Sequence, residues 1–220
     1  LDSGFFKDEI VPVPKRPHYQ DMIIEDQAIR RDQSIDSLKK LKPYFDRKNG
    51  TVTVGNACPL TDGSAAVLIM TETMAKEKGY KPLGYLKAYD YAGLEPHRMG
   101  LGPVYSTSRV LDRAGMSMSD IDLVEINEAF AAQVIGNLRA FESDSFASKF
   151  LNKKSALGAI DPNSLNVNGG SIGLGHPVGT SGTRIIITLL RELRRQNKNC
   201  GLATLCVGGG QGGACILEVE

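Results

Sequence analysis

The stretch from Asn166 to Arg184 constrains the fold of this chain more than any other. It reads NVNGGSIGLGHPVGTSGTR and places six glycines around one histidine, His176, which is followed by Pro177. Glycine loses more backbone entropy on folding than any other residue, so this density indicates a backbone that turns tightly or approaches something closely. From Ile185 the sequence becomes rich in isoleucine and leucine. We interpret the stretch as a loop that holds one imidazole at the start of a buried helix, which is typical of an active site.

A second glycine cluster lies near the end of the chain. Leu202–Val207 is a short apolar run that contains Cys206, and it is followed by GGGQGG and by a second run, Ala214–Val219. Two runs of strand length around a glycine turn predict a hairpin or two adjacent strands. The glycines fit the spacing G-x-G-x-x-G, but no helix and no βαβ unit follow, which argues against dinucleotide binding. On spacing alone, a small buried hydrophobic role for Cys206 is favoured.

The overall composition narrows the class of protein. At 41% hydrophobic and 23% charged residues it is typical of a globular protein, and a net charge of +1 gives no reason to expect nucleic acid or a membrane surface as partner. No apolar run approaches the roughly 18 residues of a membrane span. Four cysteines without regular spacing and three histidines argue against a disulfide framework and a zinc site. We therefore expect a reducing, cytoplasmic location and no metal.

Three motifs together resemble the signatures of a known family. They are NEAFAAQ at Asn127–Gln133, NGGSIGLGHPVGTSG at Asn168–Gly182 and CVGGGQGGA at Cys206–Ala214. In this order and at this spacing they resemble the three C-terminal motifs of the thiolases, which comprise acetyl-CoA acetyltransferases and 3-ketoacyl-CoA thiolases. The resemblance covers nearly the whole chain. It implies that the chain is the back half of a longer enzyme, whose acyl-carrying cysteine lies in the missing N-terminal half.

The resemblance also implies a fold of the α/β class. Thiolases have a layered αβαβα architecture built from two similar domains. By resemblance, residues 1–60 are the end of the loop domain that binds coenzyme A, and residues 61–80 are a strand and a helix that return to the N-terminal core domain. Residues 81–220 are the complete C-terminal domain.

Local patterns predict the individual elements. Strands are expected at Phe5–Val13, Thr51–Val54, Gly63–Met70, Lys81–Leu94, Leu123–Ile126 and the two closing runs. Helices are expected near Ser34–Leu41, up to Lys78 with Gly79 ending it, at Ser106–Ala114, from Glu128 to about Glu142, within the segment Phe141–Pro162, and from the glycine loop to about Arg195.

The resemblance assigns chemical roles to four residues. Thiolases form or cleave a carbon–carbon bond by Claisen chemistry, which needs a thiolate, a base and donors for two oxyanions. His176 matches the histidine that activates the nucleophile and donates to the enolate oxygen, and Asn127 matches the residue that fixes a water in the same oxyanion hole. Cys206 matches the cysteine that acts as acid and base, whose pKa imidazolium or backbone donors lower readily. The backbone N–H of Gly208 would serve the second oxyanion hole, which would explain the glycine there.

Six further residues fall where family members contact coenzyme A. They are Arg30, Ser37, Leu41, Cys58, Ala129 and Phe130. A guanidinium suits a phosphate or an adenine face. Many thiolases have a serine in place of Cys58, and sulfur is a poorer hydrogen-bond donor than a hydroxyl. Without the resemblance, Arg30 is a solvated charge, Ser37 a surface hydroxyl and Phe130 an ordinary core residue.

The expected function is an acyltransferase that forms or thiolytically cleaves the bond of a 3-ketoacyl-CoA such as acetoacetyl-CoA. Its substrates would be coenzyme A thioesters, with no cofactor, and the complete protein would be a homo-oligomer, cytoplasmic or, in a eukaryote, mitochondrial or peroxisomal. The isolated chain is expected to be inactive. The alternative is a non-catalytic thiolase-like protein that binds acyl-CoA or lipid, against which the filled catalytic positions argue. A β-ketoacyl synthase uses a different polar pair and lacks the CVGGG ending.

Overall fold

The computed structural model describes residues 2–220 and is organised around a four-stranded mixed sheet. The strands are β1 (Val13–Pro14), β2 (Met22–Ile23), β3 (Tyr85–Gly93), β4 (Leu123–Ile126), β5 (Cys200–Val207) and β6 (Gln211–Glu218). The α-helices are α1 (Ile35–Lys39), α2 (Glu72–Glu77), α3 (Gly102–Ala114), α4 (Ala131–Phe141), α5 (Asp144–Phe146), α6 (Ser171–Leu174) and α7 (Ser181–Arg195). Short 3₁₀-helices lie at Pro96–Leu101, Met118–Asp120 and Pro162–Ser164, and a π-helical turn lies at Ala147–Leu151.

The strand order of the main sheet is β3-β6-β5-β4. Strand β6 runs antiparallel to both β3 and β5, whereas β4 runs parallel to β5, with Leu123 opposite Gly201 and Ile126 opposite Thr204. Parallel neighbours end at the same edge of a sheet. Asn127, the residue that follows β4, therefore lies at the same edge of the sheet as Cys206, which is near the C-terminal end of β5.

Helices cover both faces of this sheet, because alternate residues of each strand point to opposite sides. Helices α3 and α4 cover one face, whose buried core includes Val104, Val110, Phe141, Leu202 and Ile216. Helix α7 covers the other, whose core includes Leu123, Ile185, Leu189, Leu193 and Leu217. This arrangement confirms the predicted α/β class. None of the helices within residues 2–220 combines the length and the apolar character needed to cross a membrane.

Helix α7 supports the glycine-rich loop from behind. Its residues Ile185, Leu189 and Leu193 recur at intervals of four and are buried against the sheet. At its C-terminal end, the guanidinium of Arg194 donates to the carbonyl oxygen of Leu83 at 2.6 Å, and a cation there also complements the helix dipole. Helix α7, which begins at Ser181, five residues after His176, is therefore held in a fixed place against the sheet.

The N-terminal region departs from the prediction. The expected strand Phe5–Val13 is mostly a succession of turns, and only Val13–Pro14 is extended and paired, in an antiparallel ladder with Met22–Ile23. The expected strand Thr51–Val54 forms no ladder within residues 2–220. Helices α1 and α2 agree with the prediction, and Gly79 follows α2 with φ +68. A β-branched run becomes a strand only when a neighbouring strand satisfies its backbone.

The apolar run Gly63–Met70 differs most clearly from its predicted structure. It was expected to be a buried strand, but within residues 2–220 it has no ladder partner, and its side chains Leu68 and Ile69 are 76% and 80% exposed. The prediction of a strand here is wrong for this chain. The composition of the run suits burial, but within residues 2–220 the run pairs with no strand.

The segment Phe141–Pro162 contains the expected additional helical structure, in two short pieces. Helix α5 continues into the π-helical turn, which Asn152 ends in a left-handed conformation with φ +54. The ring of Phe146 packs against that of Tyr105, with 5.8 Å between centroids. The segment is thus anchored to helix α3 by an aromatic contact.

Candidate active site

The loop that carries His176 is fixed through its backbone. The N–H of His176 donates to the carbonyl oxygen of Pro59 at 2.9 Å. The preceding Gly175 has φ +94, and a Cβ at this position would lie 2.4 Å from the side chain of Thr61. Only glycine fits that conformation and that space. The imidazole is buried, and its Nδ1 lies 2.6 Å from Oγ of Ser181 in the first turn of α7.

Asn127 meets the imidazole from the opposite direction. It follows β4 directly, its N–H donates to the carbonyl oxygen of Thr204 at 3.0 Å, and the residue is 1% exposed. The hydroxyl of Ser171 donates to Asn127 Oδ1 at 2.5 Å, and Asn127 Nδ2 lies 3.4 Å from His176 Nε2. The asparagine and the histidine therefore share one buried hydrogen-bonded cluster.

These contacts favour one tautomer of His176. With the Asn127 carboxamide in this orientation its nitrogen donates, and the Nε2 that faces it accepts. The ring proton of the neutral imidazole then sits on Nδ1 and is donated to Ser181 Oγ, whose own hydroxyl faces the carbonyl oxygen of Pro177 at 3.4 Å. Burial lowers the pKa of His176, and the nearby Arg184 lowers it further. The imidazole is thus neutral at pH 7, with a lone pair on Nε2 that can take a proton.

Cys206 lies near the end of β5, opposite Gly212, and is buried. Burial raises the pKa of its thiol to about 11, and the proximity of Cys58 raises it as well. The pKa therefore moves opposite to the direction anticipated from the sequence. The neutral His176 supplies no positive charge, so desolvation dominates. In this chain Cys206 is a protonated thiol at neutral pH.

The segment around Cys58 joins two of the motifs. The N–H of Cys58 donates to the carbonyl oxygen of Ala129 at 3.1 Å, and Ala57 forms an antiparallel bridge with Phe130. The carbonyl of the residue after Cys58 accepts the N–H of His176. Cys58 and Ala129 therefore lie beside the pair formed by Asn127 and His176.

Gly208 lies in the exposed turn between β5 and β6. A Cβ at Gly208 would meet open space, and the glycines with positive φ are Gly209 (+90) and Gly210 (+94). At Gly210 a Cβ would also lie 2.2 Å from the carbonyl oxygen of Leu94. The turn therefore requires glycine at positions 209 and 210. The expectation that the oxyanion hole explains the glycine at position 208 is not supported by its backbone conformation or its surroundings. The role expected for the Gly208 N–H stays a prediction.

The remaining residues expected to contact coenzyme A lie farther out. Arg30 and Ser37 are exposed, and Leu41 is half-buried. None of these three side chains is hydrogen-bonded to Asn127, His176 or Cys206 within the part of the chain that the structure describes. The half-buried Phe130 packs edge-to-face against Phe45, with 6.1 Å between ring centroids.

Sequence reasoning missed the polar residues that hold the cluster in place. One carboxylate oxygen of Glu128 accepts from Asn166 Nδ2 and the other from the N–H of Ile172, both at 3.1 Å. A Cβ at Gly170 would lie 2.3 Å from the Glu128 carboxyl carbon, so the loop glycine permits this approach. Ser171 and Ser181 lie within the motif Asn168–Gly182, but the resemblance assigns neither of them a role. The sequence did offer a clue to their role, because both serines lie five residues from His176.

A buried carboxyl also adjoins the cluster. Glu125, on β4, is 4% exposed and lines a small cavity together with Asn127, Ser171 and Arg184. Burial raises its pKa to about 8, with Glu128 and Glu9 adding to the effect. Among the residues from 2 to 220, no group of three or more histidine, cysteine, aspartate or glutamate side chains is arranged to hold a metal ion.

Comparison with known proteins identifies the family. The thiolase C-terminal domain matches residues 80–219, and the thiolase N-terminal domain matches residues 1–73. The chain is 47% identical over 220 residues to a 3-ketoacyl-CoA thiolase of Shewanella loihica, covering all of this chain and 50% of the relative. It is 45% identical to a 3-ketoacyl-CoA thiolase of Aliivibrio fischeri, covering 99% of this chain and 49% of the relative.

Solved structures agree with this assignment. A Bacillus anthracis acetyl-CoA acetyltransferase superimposes with a TM-score of 0.87 at 40% identity, over 100% of this chain and 51% of that one. Human mitochondrial 3-ketoacyl-CoA thiolase in complex with CoA superimposes with a TM-score of 0.86 at 39% identity, over 100% of this chain and 50% of that one. The chain thus spans about half the length of the relatives it matches. On these matches of sequence, domains and fold, the chain belongs to the thiolase family.

Proposed function

We propose that the complete protein is an acetyl-CoA C-acyltransferase, and that this chain supplies its histidine, asparagine and acid–base cysteine. The observation that carries the proposal is the hydrogen-bonded pair of Asn127 and His176 at the sheet edge that Cys206 also reaches. The names of the relatives, 3-ketoacyl-CoA thiolase and acetyl-CoA acetyltransferase, support the same reaction class. The substrates would be acyl-CoA and CoA, with acetoacetyl-CoA as the simplest 3-ketoacyl example.

The geometry suggests how the proton transfers are divided. Nε2 of His176 would accept the proton of the acyl-carrying thiol, which this proposal places outside the present chain. The resulting Nε2–H would donate to the thioester oxygen, next to the Asn127 carboxamide. During thiolysis, the protonated Cys206 would give its proton to the carbon released when the carbon–carbon bond breaks, and during condensation the thiolate would take that proton back. The Gly208 N–H would donate to the second oxyanion.

The outer residues complete the proposal. Arg30, Ser37, Leu41, Cys58, Ala129 and Phe130 would contact coenzyme A. The matches to the N- and C-terminal thiolase domains support assigning residues 81–220 to the C-terminal domain and the preceding residues to the loop domain and N-terminal core. No cofactor would be needed. The complete protein would be a cytoplasmic homo-oligomer, or mitochondrial or peroxisomal in a eukaryote.

The test is thiolysis of acetoacetyl-CoA by the 220-residue chain and by the complete protein. Turnover is expected only from the complete protein, and His176→Ala and Cys206→Ala in that protein should each reduce kcat by a hundredfold or more. Glu142→Gln, at an exposed site, serves as the control and should leave kcat unchanged. Turnover by the isolated chain would show that it is not inactive. Binding of acyl-CoA by the complete protein without turnover would instead establish the non-catalytic alternative.

A further inference from the structure

We propose that Ser171 is a positioning residue that sets the orientation of the Asn127 carboxamide and, through it, the tautomer of His176. Its effect on catalysis rests on the function proposed above, whereas its effect on the imidazole does not. Ser171 is the first residue of α6 and is 1% exposed. Bulk water therefore cannot replace its hydroxyl as a partner of Asn127.

The hydroxyl of Ser171 has a single proton, and its contacts decide where that proton goes. The N–H of Glu128 donates to Ser171 Oγ at 3.3 Å. The proton of Ser171 is then free to be donated to Asn127 Oδ1, 2.5 Å away. With its oxygen end taken, the carboxamide presents its NH₂ group to His176 Nε2.

The reversed carboxamide would have the opposite effect on the imidazole. Its oxygen would face His176 Nε2, so Nε2 would have to carry the proton and could no longer accept one from a thiol. Its NH₂ group would face Ser171 Oγ, which already accepts from Glu128. The proton of Ser171 would then lose the acceptor that Asn127 now provides. Leaving one buried donor without a partner disfavours the reversed state by about tenfold or more.

The backbone around Ser171 is held firmly enough for this role. The carboxylate of Glu128 accepts from the N–H of Ile172, the residue after Ser171, at 3.1 Å. On the other side, Gly170 leaves no space for a Cβ against that same carboxylate. Ser171 is therefore fixed between two contacts to the residue that follows Asn127. A serine held in this way can select one of two orientations that a free carboxamide would sample.

The first experiment reads the tautomer directly, by ¹⁵N NMR of the histidines in the 220-residue chain, with His176→Gln to assign the signal. In the wild type, Nε2 of His176 should be unprotonated. In Ser171→Ala the Nε2–H tautomer should gain population by about tenfold relative to the other. Ser106→Ala is the matched control, because it also deletes a fully buried hydroxyl, on α3, and should leave the signal unchanged. An unchanged tautomer in Ser171→Ala overturns the proposal.

The second experiment measures thiolysis by the complete protein. Ser171→Ala should lower kcat by about tenfold with little change in KM, because the substrate contacts remain while the base is less often in its accepting form. A rise in KM at constant kcat would contradict a positioning role. If the tautomer shifts as expected but the wild-type protein has no turnover, the positioning role stands and the proposed function fails. The two proposals are thus separated by their readouts.

Discussion

The buried carboxyl of Glu125 should make the stability of this chain depend on pH in an unusual direction. Its pKa is raised from 4.5 to about 8, first because burial penalises the charged form and then because Glu128 and Glu9 lie nearby. Between these two values the unfolded chain releases the proton that the folded chain retains. The contribution of Glu125 to the free energy of unfolding should therefore be highest below pH 4.5 and should fall as the pH rises towards 8.

The size of the effect follows from the shift. Each pH unit between the two pKa values changes the free energy of unfolding by about 1.4 kcal/mol, so the wild type should lose about 3 kcal/mol between pH 5 and pH 7 from Glu125 alone. Glu125→Gln keeps the shape of the side chain and removes the titration. Relative to the wild type, the variant should therefore gain about 3 kcal/mol over the same interval.

Urea unfolding of both proteins, followed by circular dichroism at several pH values, measures this difference. Other titrating groups cancel when the variant is compared with the wild type at each pH. Glu142→Gln removes an exposed carboxyl and should differ from the wild type by no more than about 0.5 kcal/mol throughout. A constant difference between Glu125→Gln and the wild type from pH 5 to pH 8 would refute the assignment of a neutral, buried Glu125.

Three further expectations concern the site and its turn. Ser181→Ala leaves the buried Nδ1–H of His176 without its acceptor, so kcat/KM of the complete protein should fall by about tenfold. Unchanged kinetics would show that the 2.6 Å contact is dispensable. Because burial lowers the pKa of His176, the base stays neutral as the pH falls, and the acid limb of the kcat/KM profile should have an apparent pKa below 6.5; a limb above 6.5 would argue for a cationic imidazole. Gly210→Ala should destabilise the chain by about 2 to 3 kcal/mol in thermal unfolding, because the new Cβ would meet the carbonyl oxygen of Leu94. Gly209→Ala, with a similar φ but open space around it, should cost only about 1 kcal/mol. Equal losses would mean that the approach to Leu94 is irrelevant.

The C-terminal elements were predictable because their signals are local. Leu123–Ile126 was expected as a strand and is one, and all four of its residues are buried, as is common in a strand covered on both faces. The first eighty residues were less predictable. Gly63–Met70 carries the composition of a buried strand, but pairing depends on a partner strand, and the sequence of the run itself does not say whether one is present.

The candidate site was likewise predictable only in part. The motifs predicted that Asn127, His176 and Cys206 converge. The structure pairs Asn127 with His176, and the strand register brings Cys206 towards the same sheet edge. The motifs could not show which way the Asn127 carboxamide points or which imidazole nitrogen carries the proton. Those properties depend on hydroxyl contacts of about 3 Å, from Ser171 and Ser181, that no spacing rule predicts. The raised pKa of Cys206 likewise follows from desolvation, which only the folded surroundings determine.

The uncovered run Gly63–Met70 has a consequence for handling the protein. Its β-branched and aliphatic side chains lie in solvent on a backbone whose hydrogen-bonding groups are not used by any strand within residues 2–220. Such a stretch is a template on which an extended segment of another molecule can add. Concentrated samples of this chain should therefore self-associate through residues 63–70, and a lysine introduced at Leu68 or Ile69 should keep them dispersed.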